Sequence, residues 1–315
     1  MIVVTAPTGN IGGRVVQELL DAGAAVRVVV RDPARLAPGV DERVEVVRGS
    51  HADPAVVAAA FAGADAVFWL VPANPRAETV DVAYSGFAGP AIEAFTAQGV
   101  GRVVGVSALG RGTPVAGHAG HVTATLAMDD LIAATGVPYR ALTMPSFMDN
   151  TRRQVGAIMA QGVLYGPSSP DLPTPAVATR DVAAVAARLL RDDTWTGFAE
   201  VPVLGPADLT YDQMAAIISE VLGRPVRYQQ VPGEAYKANL MKAGMSEPMA
   251  QSMLDMALAK DHGLDKGCYP YTGIQHADHV PPVVHTGTRA GPPRLTARTG
   301  RRRRVGTADL AWERR

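Results

Sequence analysis

Residues 2–15 read Ile2-Val3-Val4-Thr5-Ala6-Pro7-Thr8-Gly9-Asn10-Ile11-Gly12-Gly13-Arg14-Val15. A β-branched run enters a glycine turn, and the turn opens an amphipathic helical pattern that reaches Ala22. Strand, glycine turn and helix in that order are the context in which such glycines carry meaning. Gly9 and Gly12 let the main chain approach a pyrophosphate, and the helix N-terminus favours its negative charge. Thr8, Gly9, Asn10, Ile11 and Gly12 therefore form a candidate dinucleotide loop. Ala6 stands where such loops usually carry their first glycine.

The same alternation continues outward. Strand-like runs fall at 2–5, 25–30, 44–47, 66–71, 102–107 and 139–143. Helical patterns fall between them, at 12–22, 54–62, 86–98 and 124–135. Continuous apolar strands are buried on both faces, as in a parallel sheet. Strands alternating with helices through right-handed crossovers predict an α/β fold, a Rossmann doubly wound parallel sheet, over residues 1–150. Beyond Pro145 the pattern changes. Prolines 167, 170, 173 and 175 mark loop, and helices are predicted at 181–190, 210–222, 235–243 and 248–262. Asp181 and Thr210 are the expected N-caps, and Gly223 the expected stop. Residues 151–265 thus read as a small, mostly helical substrate or lid domain. The methionines of the last pair read as core filler.

The second strand selects the nucleotide. NAD sites end it with an acid that binds the ribose 2′-hydroxyl. Here it ends Val30-Arg31-Asp32-Pro33-Ala34-Arg35. Two guanidinium groups suit a 2′-phosphate, so NADP (as NADPH) is favoured over NAD, with Asp32 keeping NAD open. Asp53 lies in the loop under the adenine and also suits an N-cap for helix 54–62. Val71 and Pro72 should pass the cofactor's ribose. Ser107 should lie beside the nicotinamide, with Ala108 and Leu109 in the substrate pocket, because ligands bind at the carboxyl ends of such strands.

Several stretches together resemble a known group. They are A-P-T-G-N-I-G-G at 6–13, V-R-D-P-A-R-L at 30–36, A-G-A-D-A-V-F-W-L-V-P at 62–72 and F-M-D-N at 147–150. These are similar to the NmrA-like branch of the atypical short-chain dehydrogenase/reductases, over about residues 1–265. The segment from Leu204 to Gln213, with Val221-Leu222-Gly223-Arg224, is similar to the ergot-alkaloid reductase subgroup. The resemblance implies a Rossmann domain with a small C-terminal domain. It also implies NADPH-dependent quinone reductase chemistry, or alternatively a redox-sensing regulator acting through a protein partner. Phe147 and Asn150 match the family segment and are expected to line the pocket floor. Thr143-Met144 replaces the family's Arg-Pro, so no contact by that arginine carries over.

Ordinary short-chain dehydrogenases pass a proton from a tyrosine whose pKa is lowered by a lysine four residues on. The lysines here are Lys237, Lys242, Lys260 and Lys266, none of them four residues after a tyrosine. The expected reaction is hydride transfer to a small apolar acceptor that needs no strong acid, such as a quinone or an iminium. His121 is the candidate proton donor near neutral pH, with His118 nearby. Asp129-Asp130 reads as a solvated helix face and Trp69 as core. His118-x-x-His121 alone is too weak a signal for a metal.

The charge balance divides the chain. Residues 266–315 hold 10 of the 30 basic and 3 of the 30 acidic residues, leaving −7 on the rest. The codons of residues 271–285, read one nucleotide forward, can spell T-P-E-S-S-T-P-T-T-F-R-Q-W-C. That string resembles the closing helix of family members. The tail is therefore read as out of frame and disordered, and its run of arginines as no nucleic-acid site. Met1 leads directly into a strand with no leader pattern, and no apolar run approaches the ~20 residues of a membrane span. The expectations are a cytoplasmic protein, a small-molecule partner, no nucleic acid, no membrane and no metal.

Overall fold

The computed structural model describes residues 1–266, and the expectations for the basic tail lie outside the described residues. The six expected strands are β1 (Ile2–Thr5), β2 (Val26–Val30), β3 (Glu45–Arg48), β4 (Ala66–Trp69), β5 (Val103–Ala108) and β6 (Tyr139–Met144). Five more follow: β7 (Ser146–Phe147), β8 (Val163–Gly166), β9 (Ala176–Val177), β10 (Phe198–Pro202) and β11 (Arg227–Gln230). Helices α1 (Gly12–Asp21), α2 (Pro54–Phe61), α3 (Phe87–Ala97) and α4 (His121–Ala134) connect the first six strands. Then come α5 (Val155–Gln161), α6 (Thr179–Arg191), α7 (Tyr211–Leu222), α8 (Gly233–Lys242) and α9 (Glu247–Asp261).

The main sheet has the order β10-β6-β5-β4-β1-β2-β3, and all its neighbours run parallel. The winding reverses between β1 and β4, where doubly wound sheets take their ligand. The buried Thr5 hydroxyl ties these two strands together, donating to Phe68 O at 2.9 Å and accepting from Leu70 N at 3.0 Å. Strand β10 is absent from the sequence reading. It is a half-exposed edge strand of sequence Phe-Ala-Glu-Val-Pro, with no apolar run to announce it.

Each face of the sheet has its own core. Val15, Leu19, Val182 and Leu190 of α1 and α6 cover one face. Phe61, Phe95, Met128 and Ile132 of α2, α3 and α4 cover the other. Burying each such side chain contributes ~1.5–3 kcal/mol. Helix α3 is entered through a π turn, Val82–Gly86, and contains Pro90. Pro90 has no N–H to return to the preceding turn, and the wider π turn takes up the misfit.

The caps are partly as expected. Thr210 and Gln213 form a reciprocal capping box on α7, and Gly223 closes that helix at φ 64°. Asp181 is not a cap. Helix α6 begins at Thr179, and its first N–H donates at 3.0 Å to the carboxylate of Asp149, thirty residues upstream. Burial opposes ionisation of Asp149, but the hydrogen bonds from Thr179 outweigh it and hold the carboxyl below its usual range.

The β1–α1 turn depends on two backbone conditions. Ala6 takes a left-handed conformation at φ 51°, costing ~1 kcal/mol relative to glycine. At Gly12 a Cβ would stand 2.2 Å from the Ala6 carbonyl oxygen. Gly12→Ala must therefore push the turn off α1. The expected result is at least a tenfold loss of nicotinamide-nucleotide affinity by calorimetry. Unchanged affinity would show that the turn has no such constraint.

Candidate functional site

Because the strands are parallel, every loop that follows one opens on the same sheet edge. The candidate residues from Thr8 to Leu109 sit in these loops or at the strand ends that lead into them. Thr8, Gly9 and Asn10 are exposed above buried Ile11 and Gly12. Helix α1 has no side-chain cap and no acid in its first turn, which leaves its first N–H groups free of side-chain acceptors. The uncapped N-terminus and the Cβ-free approach at Gly12 fit the pyrophosphate of a nicotinamide dinucleotide.

At the next corner Arg31 and Arg35 are both exposed. Asp32 accepts the Ala34 N–H at 3.2 Å and caps the short turn Pro33–Arg35. A third arginine joins them: Arg48 lies opposite Val30 in the β2–β3 register and donates Nε to Arg31 O at 3.4 Å. Arg48 was missed because only strand register places it there. Asp53 accepts from Ala55 N at 2.8 Å and Val56 N at 3.2 Å, so its carboxylate serves α2.

His51, in the loop after β3, is buried, 7% exposed, with its ring edge-on to Trp69 at 5.4 Å and Phe87 at 5.0 Å. Its Nε2 lies 3.1 Å from Leu70 O, which joins the β3–α2 loop to the start of the loop holding Val71 and Pro72. Burial lowers its pKa to about 4; the Leu70 carbonyl opposes and the Arg31 charge assists. The neutral ring therefore donates to Leu70. Trp69 is fully buried, as expected.

Asp129 is not on a solvated face. It is fully buried, accepting from the Ser107 hydroxyl and, at 2.6 Å, from the Tyr139 hydroxyl. The Tyr139 ring runs beneath β5, where Gly105 leaves room; a Cβ there would lie 2.5 Å from the phenolic oxygen. Burial pushes Asp129 up to about 7, against the two hydroxyl donors and the Arg111 charge. Arg111 itself bridges Glu200 at 2.5 Å and Asp130 at 2.7 Å. The sequence signal was the spacing His121, Thr125, Asp129, one helix face at every fourth residue.

His121 is the first residue of α4, not a loop residue ahead of it. Its ring is edge-on to Tyr84 at 5.8 Å, and neither ring nitrogen has a hydrogen bond of regular geometry. Burial lowers its pKa, opposed by the Met249 backbone. His118 is exposed. Met249 and Met245 of the α8–α9 hairpin pack on Ala77 and Ala83, beside Tyr84. A cleft of about 620 Å³ adjoins this cluster, lined by Asn74, Arg76, Ala77, Val82, Ala83 and Phe87 among others.

Leu109 is buried and hydrogen-bonded to Met144 O at 3.1 Å. Ala108 packs with Val122, Ala259 and Leu264, so the end of α9 covers this loop. Phe147 leans on the core beneath α1 and α6, and Asn150 is exposed in the turn Met148–Gln154. Helix α9 carries Lys260 to the start of β7. Its ammonium is buried with Asp265 at 3.0 Å and Ser146 Oγ at 3.1 Å. Among the described residues no cluster of three or more His, Cys, Asp or Glu suits a metal, and no helix is long and apolar enough to cross a membrane.

Residues 7–193 match the model of a family described as NAD(P)H-binding. The chain belongs to this NAD(P)H-binding family. The matched span runs from the glycine turn through α6, so membership rests on the fold's nucleotide half. The chain is 33% identical over 276 residues to (4-alkanoyl-5-oxo-2,5-dihydrofuran-3-yl)methyl phosphate reductase of Streptomyces griseus, covering 86% of this chain and 90% of that one. It is 25% identical over 274 residues to quinone oxidoreductase 2 of Escherichia coli, covering 85% and 89%. The crystal structure of an Escherichia coli NADPH-dependent quinone oxidoreductase complexed with NADPH superposes with a TM-score of 0.70 at 22% identity, covering 84% of this chain and 90% of that one. With named reductases as relatives across most of its length, the chain is an NAD(P)H-binding oxidoreductase.

Two of the buried titratable groups, His51 and Asp129, make opposing contributions to stability. His51 binds a proton more weakly folded than unfolded, so stability falls as pH drops from 6.5 to about 4, by ~3 kcal/mol. Asp129 binds its proton more tightly folded, so stability falls as pH rises from 3.8 to about 7, by ~4 kcal/mol. The wild type should show little slope of Tm where the windows overlap. His51→Gln should leave a Tm that falls with rising pH, and Asp129→Asn one that rises. Parallel profiles for the two variants would refute both assignments.

Proposed function

We propose that the chain is an NADPH-dependent reductase that delivers hydride to a small, apolar, conjugated acceptor, with quinones as the leading class and iminium compounds as the second. The observation that carries this is the cleft walled by Ala77, Val82, Ala83 and Phe87, with Met245 and Met249 packed behind it and Tyr84 and His121 beside them. Such a wall orients a flat acceptor and excludes water, which is most of what hydride transfer asks of a protein. The acceptors in the two relatives' names, a quinone and an oxo-dihydrofuran, are both conjugated carbonyl compounds.

In this reading Thr8 to Gly12 hold the pyrophosphate, and Arg31 and Arg35, joined by Arg48, hold the 2′-phosphate. Val71 and Pro72 pass the ribose, and Ser107 borders the nicotinamide. Asp53 acts at one remove, by capping α2 beneath the adenine. Ala108, Leu109, Phe147 and Asn150 contribute to the acceptor side, and His121 stands at its rim. The bound nicotinamide, when reduced, supplies the hydride.

Two measurements test the reading. NADPH oxidation is followed against a panel of quinones, dihydrofuranones and cyclic imines. Turnover of at least one conjugated acceptor is expected, and NADPH binding without any turnover would favour a nucleotide-sensing role instead. Arg31→Glu is expected to weaken NADPH by 10-fold or more while leaving NADH nearly unchanged. Equal losses for both nucleotides would contradict the 2′-phosphate assignment.

A further inference from the structure

The buried Asp129 accepts from the Ser107 and Tyr139 hydroxyls, a service that a carboxamide could also give without the cost of a buried acid. Its position is the informative feature. Ser107 is the next-to-last residue of β5 at the sheet's carboxyl edge, in register with Thr143 of β6, and keeps 6% exposure there. Asp129 stands directly behind it. The carboxyl has two hydroxyl partners and no directly bonded cation. When it is ionised, both hydroxyls must donate inward. Ser107 then offers the site only lone pairs. When Asp129 is protonated, the serine is released to donate outward.

We propose that Asp129 is a positioning residue that stores the proton for reduction and delivers it to the acceptor through the Ser107 hydroxyl. This rests on the reductase reading above. Hydride from reduced nicotinamide leaves a neutral conjugated acceptor with an extra negative charge on oxygen or nitrogen. That atom takes the Ser107 hydroxyl proton, and Ser107 Oγ takes the carboxylic proton of Asp129. Asp129 is left as a carboxylate held by Tyr139, and it regains a proton from solvent through Ser107 after product leaves. The charges facing Asp129 are Arg111 from the β5–α4 loop, Glu200 from β10, Asp130 from α4 and the Tyr139 phenol from β6. Arg111 is already bound by Glu200 and Asp130, so it does not fix Asp129 as a carboxylate. Burial accordingly keeps the group titrating near neutrality.

The assignment separates two acceptor classes. A quinone must gain a proton after hydride; a cationic iminium becomes neutral and needs none. Asp129→Asn keeps the shape and hydrogen-bonding capacity but cannot store the proton. Its kcat with a quinone is expected to fall about 100-fold. Its kcat with a cyclic iminium should stay within about twofold. Wild-type kcat with the quinone should decline as pH rises through about 7, and the variant should lose that inflection. Tyr139→Phe removes one donor to the carboxylate and should move the inflection to higher pH. Infrared difference spectra should show a protonated-carboxyl band at pH 6, absent from Asp129→Asn, whether or not an acceptor is turned over. If quinone is reduced but the variant keeps the wild-type profile, or loses both acceptors equally, the Asp129 assignment fails alone. If no acceptor is reduced, the reductase reading fails and the proton role with it. A missing infrared band overturns the proton store in either case.

Discussion

Helix α1 can enter the sheet only because residue 12 has no side chain. The Ala6 carbonyl oxygen would lie 2.2 Å from any Cβ there. That single contact fixes the angle at which α1 leaves β1, and with it the core that α1 shares with α6. It also leaves the first turn of α1 without a capping side chain. Unfilled backbone donors at a helix N-terminus suit a phosphate group. Ala6 in a left-handed conformation shows that the geometry is held even where the residue is not the easiest one for it.

Around that edge the structure uses buried polar groups as ties between loops. Thr5 joins β1 to β4, and His51 joins the loop after β3 to the end of β4. Asp149 joins the turn after β7 to α6. Asp129 joins α4 to β5 and β6. Each sits near a strand's carboxyl end or the helix behind it. Each fixes one loop against its neighbour at the cost of burying a hydrogen-bonding group that must stay satisfied. His51 and Asp129 are the two whose charge state burial displaces furthest toward neutrality at mid-range pH.

The α8–α9 hairpin meets this edge from outside. Ser246 binds the Ala77 carbonyl at 2.7 Å, and Gly120 admits the Ser252 backbone so closely that a Cβ would lie 2.1 Å from it. The loops of this edge thus come from the sheet itself, while Met245 and Met249 of the hairpin pack on Ala77 and Ala83 beside them. Flexible methionine packing tolerates changes in what it faces more readily than a sheet edge does.

The sequence by itself determined the doubly wound sheet, the glycine turn, the two arginines after β2 and the Thr210 cap on α7. These are local: continuous apolar runs, a turn type and a cap each depend on residues within a few positions. Strand β10 escaped because an edge strand with one half-buried face lacks the apolar run of a central strand. Asp149 and Asp129 escaped because their partners are thirty and twenty-two residues away. A carboxylate looks the same in sequence whether it is solvated or buried against two hydroxyls. Only the tertiary structure decided that Asp129 lies behind Ser107, that Arg48 stands beside Arg31 and that Lys260 reaches Ser146. Burial and strand register are properties of the assembled chain, and they set which of its charged groups can do chemistry.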